Sequence, residues 1–103
     1  MFSIDKKNLK IKMNKGDFGI ILTFKFSDIA ATDIKIIIYN SKSKIIAKSY
    51  TNISDNTIEF KLTEEESKLL ETGDYMYKVY QYKDGQLKNT LLIDKDFIVE
   101  EGA

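Results

Sequence analysis

Along most of this 103-residue chain, apolar and polar side chains alternate with a period of two, the spacing of strands buried on one face. The longest run puts Phe18, Ile20, Leu22, Phe24 and Phe26 on one side and Gly19, Ile21, Thr23 and Lys25 on the other, predicting a strand over residues 18–26. Shorter runs predict strands over residues 8–13, 34–39, 44–50, 57–62, 75–82 and 87–100. In the second of these Ile34, Ile36 and Ile38 face inward and Lys35, Ile37 and Tyr39 outward. In the run from Tyr75, Tyr75, Tyr77 and Val79 share one face, while Met76, Lys78, Tyr80 and Tyr82 share the other. Turn chemistry separates the runs: Asn14-Lys15-Gly16-Asp17, Asn40-Ser41-Lys42-Ser43, and Asp84-Gly85, a strong two-residue hairpin signal. Residues 27–33 read as a polar surface loop, and Asp94-Lys95-Asp96 as a bulge in the last strand.

One stretch breaks the period. Thr63 with Glu66 three positions on makes a capping box, and Glu64, Glu65 and Glu66 place negative charge where a helix dipole favours it. A helix of about two turns is expected, with Leu69 and Leu70 as its buried edge and Gly73 as its stop. A short cap, a glycine and a tyrosine-led strand resemble the corner of immunoglobulin-like sandwiches, whose tyrosine hydrogen-bonds back to the preceding connection. Tyr75 is either that tyrosine, with Tyr77 where antibody domains carry a cysteine, or an ordinary core aromatic.

About seven strands at intervals of roughly 8–14 residues predict an all-β fold, an immunoglobulin-like antiparallel β-sandwich with one short helix near residues 63–71. A small barrel is the alternative. Residues 1–103 form a single domain in this reading, near the commonest domain size.

Composition narrows the chemistry. Sixteen basic residues, all lysine, balance sixteen acidic ones, which argues against nucleic-acid binding: no arginine fork exists for phosphate or guanine. Without Cys or His, thiol chemistry, the commonest general base and the commonest metal ligand are gone together. No nucleophile motif or phosphate-cradling glycine loop is present, so no enzyme activity and no cofactor are expected. Asp94 with Asp96 is too sparse for a calcium loop. There is no signal peptide and no apolar run of membrane-spanning length, so a soluble protein made in the cytoplasm, with no membrane partner, is expected.

Two distributions remain. The first fifteen residues hold five lysines against one aspartate, and the end holds Asp94, Asp96, Glu100 and Glu101. Either the terminal strands lie together and pair these charges, or the two ends complement neighbouring copies in an assembly. The face opposite the core would carry Ile21, Ile37, Tyr39, Met76, Tyr80 and Tyr82. That is the candidate protein interface, unless a one-residue register slip exchanges the faces.

Read in order, Lys15-Gly16-Asp17 opening a long strand, Ile58-Glu59-Phe60-Lys61-Leu62-Thr63 before the acidic helix, Leu69-Leu70-Glu71-Thr72-Gly73-Asp74-Tyr75-Met76-Tyr77-Lys78-Val79 and the closing Phe97-Ile98-Val99 resemble the immunoglobulin-like domains of tailed-phage and prophage structural proteins. The likeness is greatest to the N-terminal domain of baseplate upper proteins of phages of Gram-positive bacteria. It departs at Asp94-Lys95, where a glycine is expected. The resemblance implies a virion structural protein of the baseplate or tail that docks other virion proteins, with a homo-oligomer as a further expectation. A head decoration or completion protein, a bacterial adaptor unrelated to phage, and a carbohydrate-binding module with tyrosine stacking platforms for host surface glycans are the alternatives. Tyr75, Phe24, Phe60 and Leu70 are expected in the core.

Overall fold

The computed structural model describes residues 2–102, so the end residues of the expected 1–103 domain lie outside the described residues. It is an all-β sandwich. Strands β1 (Ser3–Ile4), β2 (Ile11–Asn14), β4 (Asp33–Tyr39), β5 (Lys44–Tyr50), β7 (Gly73–Lys83) and β8 (Gln86–Glu100) form a six-stranded sheet in the order β1-β2-β8-β7-β4-β5. Strands β3 (Leu22–Lys25) and β6 (Thr57–Phe60) pair as a second sheet. Among the described residues the one helix, α1 (Glu64–Ser67), follows β6. Among the described residues no helix is long and apolar enough to cross a membrane.

The inner faces meet as the alternation requires. Leu22, Phe24, Ile58 and Phe60 from the small sheet pack with Ile34, Ile36, Ile38, Tyr77, Val79, Phe97 and Val99 from the large one, all buried. Phe24 stands edge-on to both Phe60 and Tyr77, with ring centroids 6.1 Å apart in each pair. Such tilted pairs fit the ring quadrupole.

Several expectations are corrected. The sheet is mixed: β2 runs parallel to β8, with Ile11 opposite Phe97 and Met13 opposite Val99, so the sandwich is not wholly antiparallel. The strand over residues 18–26 shrinks to β3 because Gly19 takes a left-handed φ of 77° and donates its N–H to the Leu62 carbonyl. Ahead of β3 the alternation is lost and Phe18, Ile20 and Ile21 are all exposed, while Leu22 and Phe24 keep the inward face. Residues 27–33 are not simply a surface loop: Ile29 and Thr32 are buried, and Asn56 Oδ1 accepts the N–H groups of Ile29 and Ala30. Asp84 and Gly85 both have positive φ, 51° and 79°, the geometry of a two-residue hairpin turn whose twist suits the strands.

The capping box is formed in full: Thr63 Oγ1 accepts from Glu66 N–H, and Glu66 Oε1 accepts from Thr63 N–H. The helix, however, ends at Ser67 rather than running to Gly73. The N–H groups of Leu69 and Leu70 bond three residues back, to Glu66 and Ser67, tightening the chain into turns. Leu70 is buried as expected, but Leu69 swings out and is 58% exposed.

Candidate functional site

The tyrosine corner is present. The Tyr75 hydroxyl donates to the Glu71 carbonyl and accepts from the Glu71 N–H, 3.0 Å each, closing the connection between α1 and β7. Tyr77 is fully buried, and its hydroxyl donates to the Leu9 carbonyl. Burial pushes its pKa up. These contacts tie β7 to the connection that precedes it and to the segment between β1 and β2.

That outward face can be laid out from the ladders. Tyr39 of β4 lies opposite Met76 of β7, which lies opposite Asp96 of β8. The next row is Ile37 and Lys78, then Lys35, Tyr80 and Thr90, then Asp33, Tyr82 and Leu87. Five of the six candidate residues therefore share one surface: Ile37, Tyr39, Met76, Tyr80 and Tyr82. The period of two holds along both β4 and β7, which carry them. Ile21 does not join them. It lies just ahead of β3 on the other layer, 48% exposed, and is corrected out of the patch.

Lysines rule this surface. The Lys78 ammonium stands 4.7 Å from the Tyr39 ring centre and 5.4 Å from that of Tyr80, and Lys35 stands 5.5 Å from that of Tyr82. Tyr80 and Tyr82 meet edge to face at 6.4 Å. Beneath this net, Ile37 keeps 9% of its surface although it lies outside the main core cluster. It is a floor to the patch rather than a contact point. At the upper corner the Tyr39 hydroxyl donates to Asp94. Burial first, then this carboxylate, pushes the Tyr39 pKa up to about 12.

The sequence reading did not place Leu87, Ile93 and Asp94 on this face. Both hydrophobic residues are more than half exposed. β8 carries extra residues relative to β7: Tyr77 opposes Lys95 and Val79 opposes Leu92, so Ile93 and Asp94 together stand against Lys78. Further shifts fall at Leu91 and Lys88. Each extra residue exchanges the faces, so a simple period of two misassigns the strand. The expected bulge near Asp94 was the available signal, and Asp94 indeed has a φ of 51°.

The charged ends meet within one molecule. Lys10 Nζ lies 3.9 Å from Asp96, and the Lys15 N–H bonds the Glu100 carbonyl beside the parallel β2–β8 ladder. Among the described residues, no three His, Cys, Asp or Glu side chains gather as a metal site would need. Comparison with protein-family models, curated proteins and solved structures finds no match for the chain.

Proposed function

We propose that this chain is a non-enzymatic structural component of a tailed-phage or prophage virion, at the baseplate or tail, that docks other virion proteins through the outer face of its six-stranded sheet. The observation that carries the reading is an aromatic and aliphatic face on a sheet whose edges are all blunted. β1 is two residues long. β5 points Lys48 inward, where it bonds Glu66 and the Lys61 carbonyl. Along residues 86–96 β8 has no neighbour opposite β7, but its shifts at Lys88, Leu91 and Ile93–Asp94 break the ladder. Short edges, inward charges and bulges are the devices that stop edge-to-edge pairing. Contact is thereby directed to the face, where Tyr39, Met76, Tyr80 and Tyr82 present large side chains of few rotamers and the lysines keep the free surface wetted.

The test is incorporation. In particles induced from a lysogen encoding the chain, an antibody should label wild type and the turn variant Ser41→Lys but not Tyr39→Lys/Tyr80→Lys. The double variant should melt within a few degrees of wild type, since both rings are only half-buried. Wild-type particles without label would end the virion reading. Equal labelling of the double variant would end docking through this face.

A further inference from the structure

At the end of the outer face beside the β7–β8 turn lies a cavity of about 280 Å³ whose lining includes Asp33, Lys35, Ser49, Thr51, Tyr82 and Gly85. We propose that this cavity binds a single neutral pyranose ring. The site shares Tyr82 with the docking face, but its test uses the isolated chain and a small ligand, so it can fail without the docking reading failing.

Size sets the first limit. Sites for drug-sized ligands run from about 300 to 1,000 Å³, so this cavity holds one ring rather than an extended ligand. Chemistry sets the second. A pyranose has an apolar C–H face and an equatorial belt of hydroxyls, so it needs a flat apolar plate with donors and acceptors around it. Tyr82 is the plate, held edge-on by Tyr80 at 6.4 Å. Around it stand one carboxylate, one ammonium and two hydroxyls, from one end of β4 and β5 and from Thr51 just beyond β5: Ser49 lies opposite Lys35 on β5, and Asp33 lies opposite Tyr82.

The rim is partly preorganised. Asp33 Oδ1 accepts the Asn52 N–H at 2.9 Å, which fixes the carboxylate and leaves Oδ2 for a ligand hydroxyl. Asn52 holds a φ of 50°, keeping the strand end turned toward this bond. The Lys35 ammonium stands 5.5 Å over the Tyr82 ring, so a stacked sugar takes its place there and the flexible lysine swings to the rim, where it donates to a hydroxyl oxygen. One carboxylate and one ammonium together leave the site near neutral, which selects an uncharged sugar over a phosphate or a sugar acid. A single ring with few contacts implies weak binding, with a Kd of about a millimolar or above.

The experiment is an amide-resolved NMR titration of the whole chain with three separate probes, methyl α-glucopyranoside, methyl β-galactopyranoside and N-acetylglucosamine. At least one probe should shift the amides of Tyr82, Gly85 and Asn52 in a saturable way, while those of β2 and β3 stay still. Asp33→Asn keeps the oxygen that holds Asn52 and should weaken binding about tenfold. Thr51→Val, at an exposed position, should weaken it about threefold, and Tyr82→Ala should abolish it. No saturable shift with any probe, or shifts that survive Tyr82→Ala, would overturn the site. Because Tyr82→Ala can disturb the sheet, unchanged affinity in both Asp33→Asn and Thr51→Val would overturn it as well.

Discussion

At the scale of single residues, the tyrosine hydroxyls record how each ring is used. Tyr75 spends its hydroxyl on the backbone of Glu71, and Tyr77 on that of Leu9, so both act as struts of the fold. Tyr39 spends its own on Asp94, across the outer face. The Tyr50 hydroxyl is buried without a hydrogen-bond partner among the described residues and feels the nearby Glu66 charge. Burial, then the charge of that carboxylate, raises its pKa to about 12, with the Lys61 backbone offsetting only part of the rise. For Tyr39 and Tyr50 the folded value lies above the unfolded value of 10.0, so folding retains a proton that the unfolded chain gives up. Their stabilisation is complete below pH 10 and is lost as pH rises toward 12. Urea midpoints taken across that window should therefore fall for wild type and fall less steeply for Tyr39→Phe and Tyr50→Phe. Lysine deprotonation contributes a background common to all three proteins. If the variants trace the wild-type slope, these hydroxyls are not the titrating groups.

At the scale of elements, α1 is a single turn that exists because its ends are tied. Glu66 closes the capping box and also takes Lys48 at 2.8 Å, joining the helix to the edge strand of the opposite sheet. Burial works to raise the Glu66 pKa, but the hydrogen bonds from Lys48 and Thr63 outweigh it and leave the carboxyl lowered. The resulting stability is present above the unfolded value of 4.5 and is lost as pH falls through the folded one. Lys48→Val should then cost about 1–2 kcal/mol in urea unfolding at neutral pH, the worth of a charge-assisted hydrogen bond, and flatten the acid limb. It should also raise turbidity on standing, since β5 loses its inward charge and becomes an ordinary apolar edge. A variant that is less stable but no more prone to aggregate would limit Lys48 to a tie for the helix. The capping box, the Asp84–Gly85 hairpin, the two central strands and five of the six face residues were legible in the sequence because each depends on neighbours within a few positions. Ile21 faces outward as the alternation requires but on the other layer, because β3 pairs with β6 rather than with the six-stranded sheet, and Ile93 was missed because bulges in β8 are set by its pairing with β7. The hydrogen bonds that end α1 after one turn likewise go with the burial of Leu70, a tertiary contact that the local sequence does not announce.

At the scale of the whole molecule, the chain closes by bringing its two ends side by side. β2 inserts parallel to the last four residues of β8, so Ile11 and Met13 fill the core beside Phe97 and Val99 through pairings that span nearly the whole chain. No local pattern announces a parallel pairing of this span, which is why the sequence reading expected an antiparallel sandwich. Its consequence is kinetic. Pairings so distant along the chain carry a large loop-closure cost before any contact repays it, and β-sandwiches accordingly fold in about milliseconds to seconds. Proline isomerisation, one source of slow refolding phases, takes about 10–100 s, and this chain has no proline. Stopped-flow refolding from urea should therefore show one exponential phase in the millisecond-to-second range and no minor slow phase, whatever the time spent unfolded beforehand. Phe97→Ala, which removes a fully buried ring at the closing ladder, should lower stability by about 3–5 kcal/mol. If β2 docks on β8 after the rate-limiting step, most of that loss appears as faster unfolding, with the refolding rate little changed. An equally large drop in the refolding rate would instead place the meeting of the two ends inside the folding nucleus.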